Sequence, residues 1–96
     1  MTTVEKEKCF AFNTLKQKSD ESVRAFYARL KCFGRTLDIS NELIEYQFYC
    51  GLSCENRLEA ERITNNVSIE ELIKILEKVE RRKAELRSYF RKWLNE

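Results

Sequence analysis

The sequence predicts an all-α fold, a compact bundle of five helices of which the last is long. The chain has 96 residues, no proline and only two glycines, Gly34 and Gly51, whereas hairpins and tight turns are rich in these two residue types. Apolar residues recur at steps of three and four in successive segments, which is the spacing of one helix face. A chain of this length forms one small domain. We therefore treat residues 1–96 as a single domain, with residues 81–96 as a helical extension of the last helix.

The first helix is predicted over about residues 4–16. The second is predicted to begin at a cap formed by Ser19 or Asp20 and to end near Leu37. The second helix has the clearer pattern, because its apolar residues follow the spacing of an amphipathic helix. These residues are Val23, Phe26, Tyr27, Leu30, Phe33 and Leu37. Either polar residue can accept a hydrogen bond from a free N–H of the first turn.

Two shorter helices are predicted to follow. Ser40 or Asn41 caps the third, and Gly51 is expected to end it. The fourth is expected to begin at Ser53 and to fade near residues 65–66. The residues expected to be buried in these two helices are Leu43, Ile44, Phe48, Leu58 and Ile63.

The fifth helix has the clearest start signal in the sequence. Ser68 and Glu71 form a capping box, and Val67 and Leu72 can pack against each other across it. From there the chain can remain helical nearly to Glu96, a length of about 40 Å at a rise of 1.5 Å per residue. We expect the first half of this helix to pack into the core.

The second half of the fifth helix carries more apolar surface than so small a domain can cover. We call this row of residues the C-terminal seam: Leu86, Phe90, Trp93 and Leu94. Exposed apolar rows of this kind usually mark an interface, here a helical bundle. Basic residues surround the seam and could instead contact RNA phosphates: Arg81, Arg82, Lys83, Arg87, Arg91 and Lys92. We prefer the bundle, because RNA binding explains only the charges.

Other functional classes receive little support from the composition. The chain has no histidine, no glycine-rich phosphate loop and no cysteine beside a credible base, so we predict no enzyme and no cofactor. The net charge of +2 is small for a dedicated nucleic-acid module. No apolar run is long enough to cross a bilayer, and the first residues lack the apolar segment of a signal peptide. We expect a cytoplasmic protein.

The four cysteines are Cys9, Cys32, Cys50 and Cys54. Without a secretory signal they are expected to be buried thiols rather than disulfides. Cys50 and Cys54 would share a face if one helix held both. We predict no zinc site, because no histidine is present to complete a mixed ligand set.

Three polar residues near the second helix, Gln17, Glu21 and Arg29, allow two interpretations. They could form a solvated polar surface, with Glu21 in the first turn near the positive end of the helix dipole. Alternatively, Arg29 could reach back to the loop that carries Gln17 and hold it through charge-assisted hydrogen bonds. The second interpretation makes the three residues a structural unit.

The spacing of this triplet resembles the major homology region of retroviral capsid proteins. The residues that carry the resemblance are Gln17, Glu21, Phe26, Arg29 and Leu30. In that family the polar residues form a hydrogen-bond network at the base of the capsid C-terminal domain. Lys18 departs from the family pattern, which usually has glycine there, so the loop is expected to turn differently.

The resemblance extends from about Phe12 to Glu80. The segments FNTLKQKSDESVRAFYARLKCFGRTL, ELIEYQFYCGL and VSIEELIKILEKVE resemble the Gag of Gypsy-class long-terminal-repeat retrotransposons. Domesticated Arc-like Gag proteins and vertebrate SCAN domains resemble the same unit. The fold implied is that of a retroviral capsid C-terminal domain, without the N-terminal lobe that builds the capsid rings.

The resemblance implies a function without chemistry. Capsid C-terminal domains dimerise and so link the subunits of a shell, and the helix after the homology-region helix commonly carries the contact. Here that helix offers Glu42, Tyr46 and Tyr49, although the two tyrosines could equally fill the domain's own core. The expected partner is a second copy of the chain, with RNA as a further candidate and neither a membrane nor a small-molecule substrate. Release of assembled particles is compatible with this prediction.

Two alternatives remain open. One is a SCAN-like helical oligomerisation module of an adaptor or transcription regulator. The other is a helical domain that binds RNA weakly.

Overall fold

The computed structural model describes residues 11–63 and 67–95. All regular secondary structure within these residues is helical, which confirms the predicted all-α class with a long C-terminal helix. Four helices are described from end to end: α1 Val23–Thr36, α2 Asn41–Gly51, α3 Cys54–Arg62 and α4 Ile69–Leu94. Residues 11–13 are also helical and lead into a loop of residues 14–22, called the N-terminal loop below. The predicted first helix, residues 4–16, lies mostly outside the described residues, as does the predicted fading of the fourth near residues 65–66.

A serine side chain caps the start of each of these four helices, because its hydroxyl accepts a hydrogen bond from an N–H of the first turn. The caps are Ser22, Ser40, Ser53 and Ser68. The caps of α2 to α4 lie where the sequence predicts them. The Ser68 hydroxyl accepts from the Glu71 N–H at 3.2 Å, which is one half of the predicted capping box.

The predicted start of α1 at Ser19 or Asp20 is wrong. Its cap is Ser22, so Glu21 lies before the helix and not in its first turn. The reason is that the Glu21 carboxylate accepts the Lys18 N–H at 3.1 Å and thereby closes a turn of the loop. The end of α1, with Leu37 as its cap, lies where it was predicted.

The core lies between α1, α2, α3 and the first half of α4. The Phe26 and Phe48 rings stack at its centre, with ring centroids 5.9 Å apart. The buried apolar residues are Phe12, Val23, Phe26, Leu30, Ile44, Phe48, Leu52, Ala60, Leu72, Ile73 and Leu76.

Two residues expected in the core are exposed instead, Leu43 and Leu58. In α2 the buried positions include Ile44, Gln47 and Phe48, so Ile44 and Phe48 lie on the inward face as predicted, whereas Leu43 lies about 100° from Ile44 around the helix and outside that face. In α3 the inward face is polar or small, since Asn56 and Ala60 are its buried residues. Ile63 is half-buried against the core, as expected.

The predicted burial of the cysteines is also wrong. Cys32 and Cys54 are exposed and Cys50 is half-buried, all three as free thiols, and Cys9 lies outside the described residues. Cys50 and Cys54 belong to α2 and α3 respectively, so no single helix places them on one face. Within residues 11–63 and 67–95, no cluster of three or more histidine, cysteine or acidic side chains is arranged to bind a metal ion. No helix in this part of the chain has the length and hydropathy of a membrane span.

Candidate functional site: a polar network and two exposed surfaces

Arg29 binds the N-terminal loop through three hydrogen bonds. Its Nε donates to Glu21 Oε2 and its Nη2 to Glu21 Oε1, both at 2.9 Å, and Nη2 also donates to the Lys16 carbonyl at 2.7 Å. A guanidinium that meets both carboxylate oxygens makes a strong and directional contact. The Glu21 side chain is only 12% exposed. The geometry is that of the network interpretation, not of a solvated polar surface.

The ion pair shifts the titration of both partners. The hydrogen bonds from Arg29 are the main cause that lowers the pKa of Glu21, and burial opposes them in part. The same contact raises the pKa of Arg29. The pair is therefore favoured in its charged form.

Gln17 uses both ends of its amide. Its Nε2 donates to the Glu21 carbonyl at 2.8 Å and to Glu80 Oε2 at 3.1 Å. Its Oε1 accepts from the Ser53 N–H and from Asn56 Nδ2, each at 3.1 Å. One side chain thereby connects the N-terminal loop to the start of α3 and to α4.

Glu80 is the member of the network that sequence reasoning missed. Its Oε1 accepts the Val23 N–H at 3.0 Å, and its Oε2 accepts from Asn56 Nδ2 as well as from Gln17. A carboxylate from α4 thus binds a free N–H in the first turn of α1, where negative charge is favoured. The available signal was its place four residues after Leu76, which continues the buried face of α4.

Gly51 allows the N-terminal loop to lie directly against the end of α2. The Gln17 N–H donates to the Gly51 carbonyl at 2.8 Å, and Gln47 Nε2 donates to the Leu15 carbonyl at 2.8 Å. A Cβ atom at position 51 would lie 2.6 Å from the Leu15 oxygen and 2.6 Å from Phe26 Cζ. The glycine is required by this close approach of backbone, and its φ is not positive.

The other two residues of the homology-region pattern belong to the core. Phe26 and Leu30 are fully buried, and the Arg29 guanidinium lies 5.5 Å from the centroid of the Phe26 ring. Among the described residues no buried polar side-chain atom lacks a hydrogen-bond partner. The network therefore holds the N-terminal loop in place, and its polar groups are hydrogen-bonded to one another.

The first exposed surface is on α2 and consists of Glu42, Tyr46 and Tyr49, called the tyrosine surface below. Tyr46 is 67% exposed and Tyr49 is 42% exposed, so these tyrosines do not fill the domain's own core. Beside them a groove of about 290 Å³ runs between α2 and α3. It is lined by Tyr46, Tyr49, Cys50, Arg57, Ala60 and Glu61.

The second exposed surface is the C-terminal seam. Its four residues are 50 to 75% exposed, and Tyr89, which sequence reasoning omitted, is exposed beside them. Five of the six basic residues considered for RNA are exposed, namely Arg81, Arg82, Arg87, Arg91 and Lys92. Lys83 is half-buried and binds Glu55 of α3 at 3.1 Å.

A cavity of about 500 Å³ lies beside the network. Its lining residues include Gln17, Glu21, Glu80, Lys83 and Arg87. Three of these side chains belong to the network and Lys83 is bound to Glu55, so the lining is largely committed to structural contacts. The exposed aromatic surfaces are therefore stronger candidates for a binding site than this cavity.

These features define a small helical domain with an internally braced loop and two exposed aromatic surfaces. Comparison of the chain with protein-family models, curated proteins and solved structures finds no match. The likeness to Gag capsid domains therefore depends on the sequence pattern described above.

Proposed function

We propose that this chain is a structural self-assembly domain of a Gag-like capsid protein, which dimerises or oligomerises to link the subunits of a particle. The observation that carries the proposal is the network of Gln17, Glu21 and Arg29. These residues have the order and spacing of the major homology region, and they are joined by hydrogen bonds within one site. A solvated surface would require no such spacing.

The network suits an assembly domain because it fixes the relative positions of the helices. The N-terminal loop is held against the end of α2, the start of α3 and the middle of α4. A rigid unit loses little conformational entropy when it associates, so more of the contact energy is available for binding.

The two exposed surfaces supply the contacts in this proposal. Tyrosine and tryptophan are enriched in protein interfaces, because each buries a large area and retains one polar group. The tyrosine surface and the C-terminal seam both have this composition, and they lie on different helices.

Self-association is tested by multi-angle light scattering of the 96-residue chain at increasing concentration. We expect a dimer or larger species, which weakens when Phe90 and Trp93 are both replaced by Ala. Phe33→Ala is the matched control, since Phe33 is an exposed aromatic residue of α1. A monomer at high concentration would remove the basis of the proposal.

Electron microscopy separates the capsid proposal from its closest alternative. We expect closed shells in cells that express the complete open reading frame to which this chain belongs. A SCAN-like oligomerisation module of an adaptor or transcription regulator would give discrete small oligomers instead.

Weak RNA binding is the second candidate function, and the basic residues around the C-terminal seam favour it. Contacts to phosphates alone give binding that falls steeply with salt. We expect weak, salt-sensitive binding in a filter or anisotropy assay. Tight binding at physiological salt would favour RNA recognition over assembly.

A further inference from the structure

We propose that the C-terminal seam of one copy docks in the groove between α2 and α3 of a second copy, so that copies associate head to tail. The inference rests on the proposed self-assembly and names the contact that produces it. It differs from pairing of like surfaces, in which seam meets seam or α2 meets α2.

The groove has a partly apolar lining and lies between two helices that together carry a negative formal charge. Tyr46, Tyr49 and Ala60 provide apolar lining, and no residue of α4 contributes to it. Helix α2 contains no lysine or arginine, and α2 and α3 together carry five glutamates and two arginines, a formal charge of −3. The volume of about 290 Å³ is sufficient for one aromatic side chain.

The helix that bears the seam has the opposite charge. Residues 81–94 contain six basic residues and one glutamate, a formal charge of +5. Opposite charges on two surfaces favour their encounter and disfavour pairing of like with like. Side-by-side seams would bring together two positively charged segments, whereas docking in the groove places a positive segment against two helices of negative formal charge.

The seam cannot fill the groove of its own chain. Helix α4 is continuous from Ile69 to Leu94, and Lys83 contacts Glu55 in the first turn of α3. The eleven residues after Lys83, up to Leu94, extend by roughly 16 Å beyond this contact along the helix axis. Because the helix is continuous, the seam cannot turn back toward the groove. A second copy is therefore the occupant that the chain itself supplies.

The exposed aromatic side chains near the end of α4 can bury enough area for such a contact. Tyr89, Phe90 and Trp93 are 56 to 65% exposed, and an aromatic side chain buries about 150–250 Å² when covered. Together they can bury on the order of 400 Å², about half of one partner's share of a standard interface. The two leucines of the seam and the tyrosines of the groove add to this area.

A mixing experiment tests the pairing directly. One variant, Tyr46→Ala with Tyr49→Ala, lacks the groove aromatics; the other, Phe90→Ala with Trp93→Ala, lacks the seam aromatics. Because a head-to-tail contact is heterologous and need not stop at two copies, we expect the wild type to grow beyond a dimer. Each variant alone should associate more than about tenfold more weakly. A mixture of the two retains one intact seam and one intact groove, so it should form a 1:1 dimer and stop there.

The other outcomes overturn the inference and are distinguishable from one another. Dimers of the groove variant alone indicate seam–seam pairing, and dimers of the seam variant alone indicate α2–α2 pairing. A wild-type monomer removes the proposed function itself. A wild-type monomer that binds anionic vesicles or RNA through the seam identifies a different partner.

Charge reversal gives an independent test that does not depend on the aromatic substitutions. Arg91→Glu with Lys92→Glu lowers the formal charge of residues 81–94 from +5 to +1. Head-to-tail docking predicts weaker association and a smaller dependence on salt. Stronger association would indicate that seams pair with each other, because their mutual repulsion has been removed.

Discussion

Replacement of Arg29 by Ala removes three hydrogen bonds that hold the N-terminal loop. Two of them join the guanidinium to both carboxylate oxygens of Glu21, and the third joins it to the Lys16 carbonyl. The substitution also leaves the Glu21 carboxylate, which is 12% exposed, without its counter-charge. We therefore expect a loss of stability and not merely a local change of surface charge.

The magnitude follows from the burial of the pair. Hydrogen bonds to charged groups contribute about 1.5–3 kcal/mol each, and the removal of one partner of a fully buried ion pair costs about 3–5 kcal/mol. The Arg29 side chain is 28% exposed, so water compensates for part of the loss. We expect the free energy of unfolding to fall by roughly 2–4 kcal/mol.

The assay is thermal unfolding followed by circular dichroism, with Arg24→Ala as the matched control. Arg24 lies on the same helix and binds Glu77 at 2.6 Å, but its side chain is 49% exposed. An exposed ion pair contributes little to stability, because water and salt screen it. For a domain of this size, 1 kcal/mol corresponds to a Tm change of about 4–8 °C.

We expect Arg29→Ala to lower the Tm by at least about 8 °C, and Arg24→Ala to lower it by a few degrees at most. An Arg29→Ala variant with the wild-type Tm would show that the pair contributes nothing. Equal effects of the two substitutions would show that the loop contacts have no special role. Either result would refute the argument from the network.

Three further predictions concern the same part of the molecule. The Arg29 contact lowers the pKa of Glu21 in the folded protein. The ion pair therefore contributes its full stability above the unfolded pKa of about 4.3, and this stability is lost as the pH falls through the folded pKa. Glu21→Gln should accordingly reduce the loss of Tm between pH 5 and pH 3. Gly51→Ala should lower the free energy of unfolding in urea by about 1–3 kcal/mol, because the alanine Cβ would meet the Leu15 carbonyl oxygen. This loss is expected even though alanine has a higher helix propensity than glycine. Glu80→Ala should lower the free energy of unfolding by about 1–3 kcal/mol in the same assay, since the Val23 N–H loses its acceptor and Gln17 and Asn56 each lose one of two. A wild-type midpoint would contradict this.

Much of the fold could be predicted because its signals are local. Ser40, Ser53 and Ser68 cap helices α2 to α4 where the sequence places them, since a cap depends on residues within one turn. The exposure of the C-terminal seam followed from comparing the length of α4 with the size of the domain. Neither inference required knowledge of how the helices pack.

The predicted burial was wrong at positions where the packing of the helices decides which residues face the core. Leu43 and Leu58 continue plausible apolar patterns, but the inward faces of α2 and α3 carry Gln47 and Asn56 instead. These polar residues can be buried only because partners from distant parts of the chain satisfy them. Asn56, for example, donates to Gln17, which is 39 positions away.

The candidate site could be predicted only where its contacts join residues that are close in the sequence. The relation between Glu21 and Arg29 spans only eight positions and is visible in the sequence as a short spacing of polar residues. Glu80 binds Gln17 across 63 positions and the Val23 N–H across 57. Such contacts become evident only when the tertiary structure brings α4 beside the start of α1.

Sedimentation velocity of the wild-type chain over a hundredfold range of concentration shows whether copies of this domain associate. We expect a sedimentation coefficient that rises continuously with concentration as copies associate. A single monomeric boundary at every concentration would contradict it, because the braced domain would then have no contact with copies of itself.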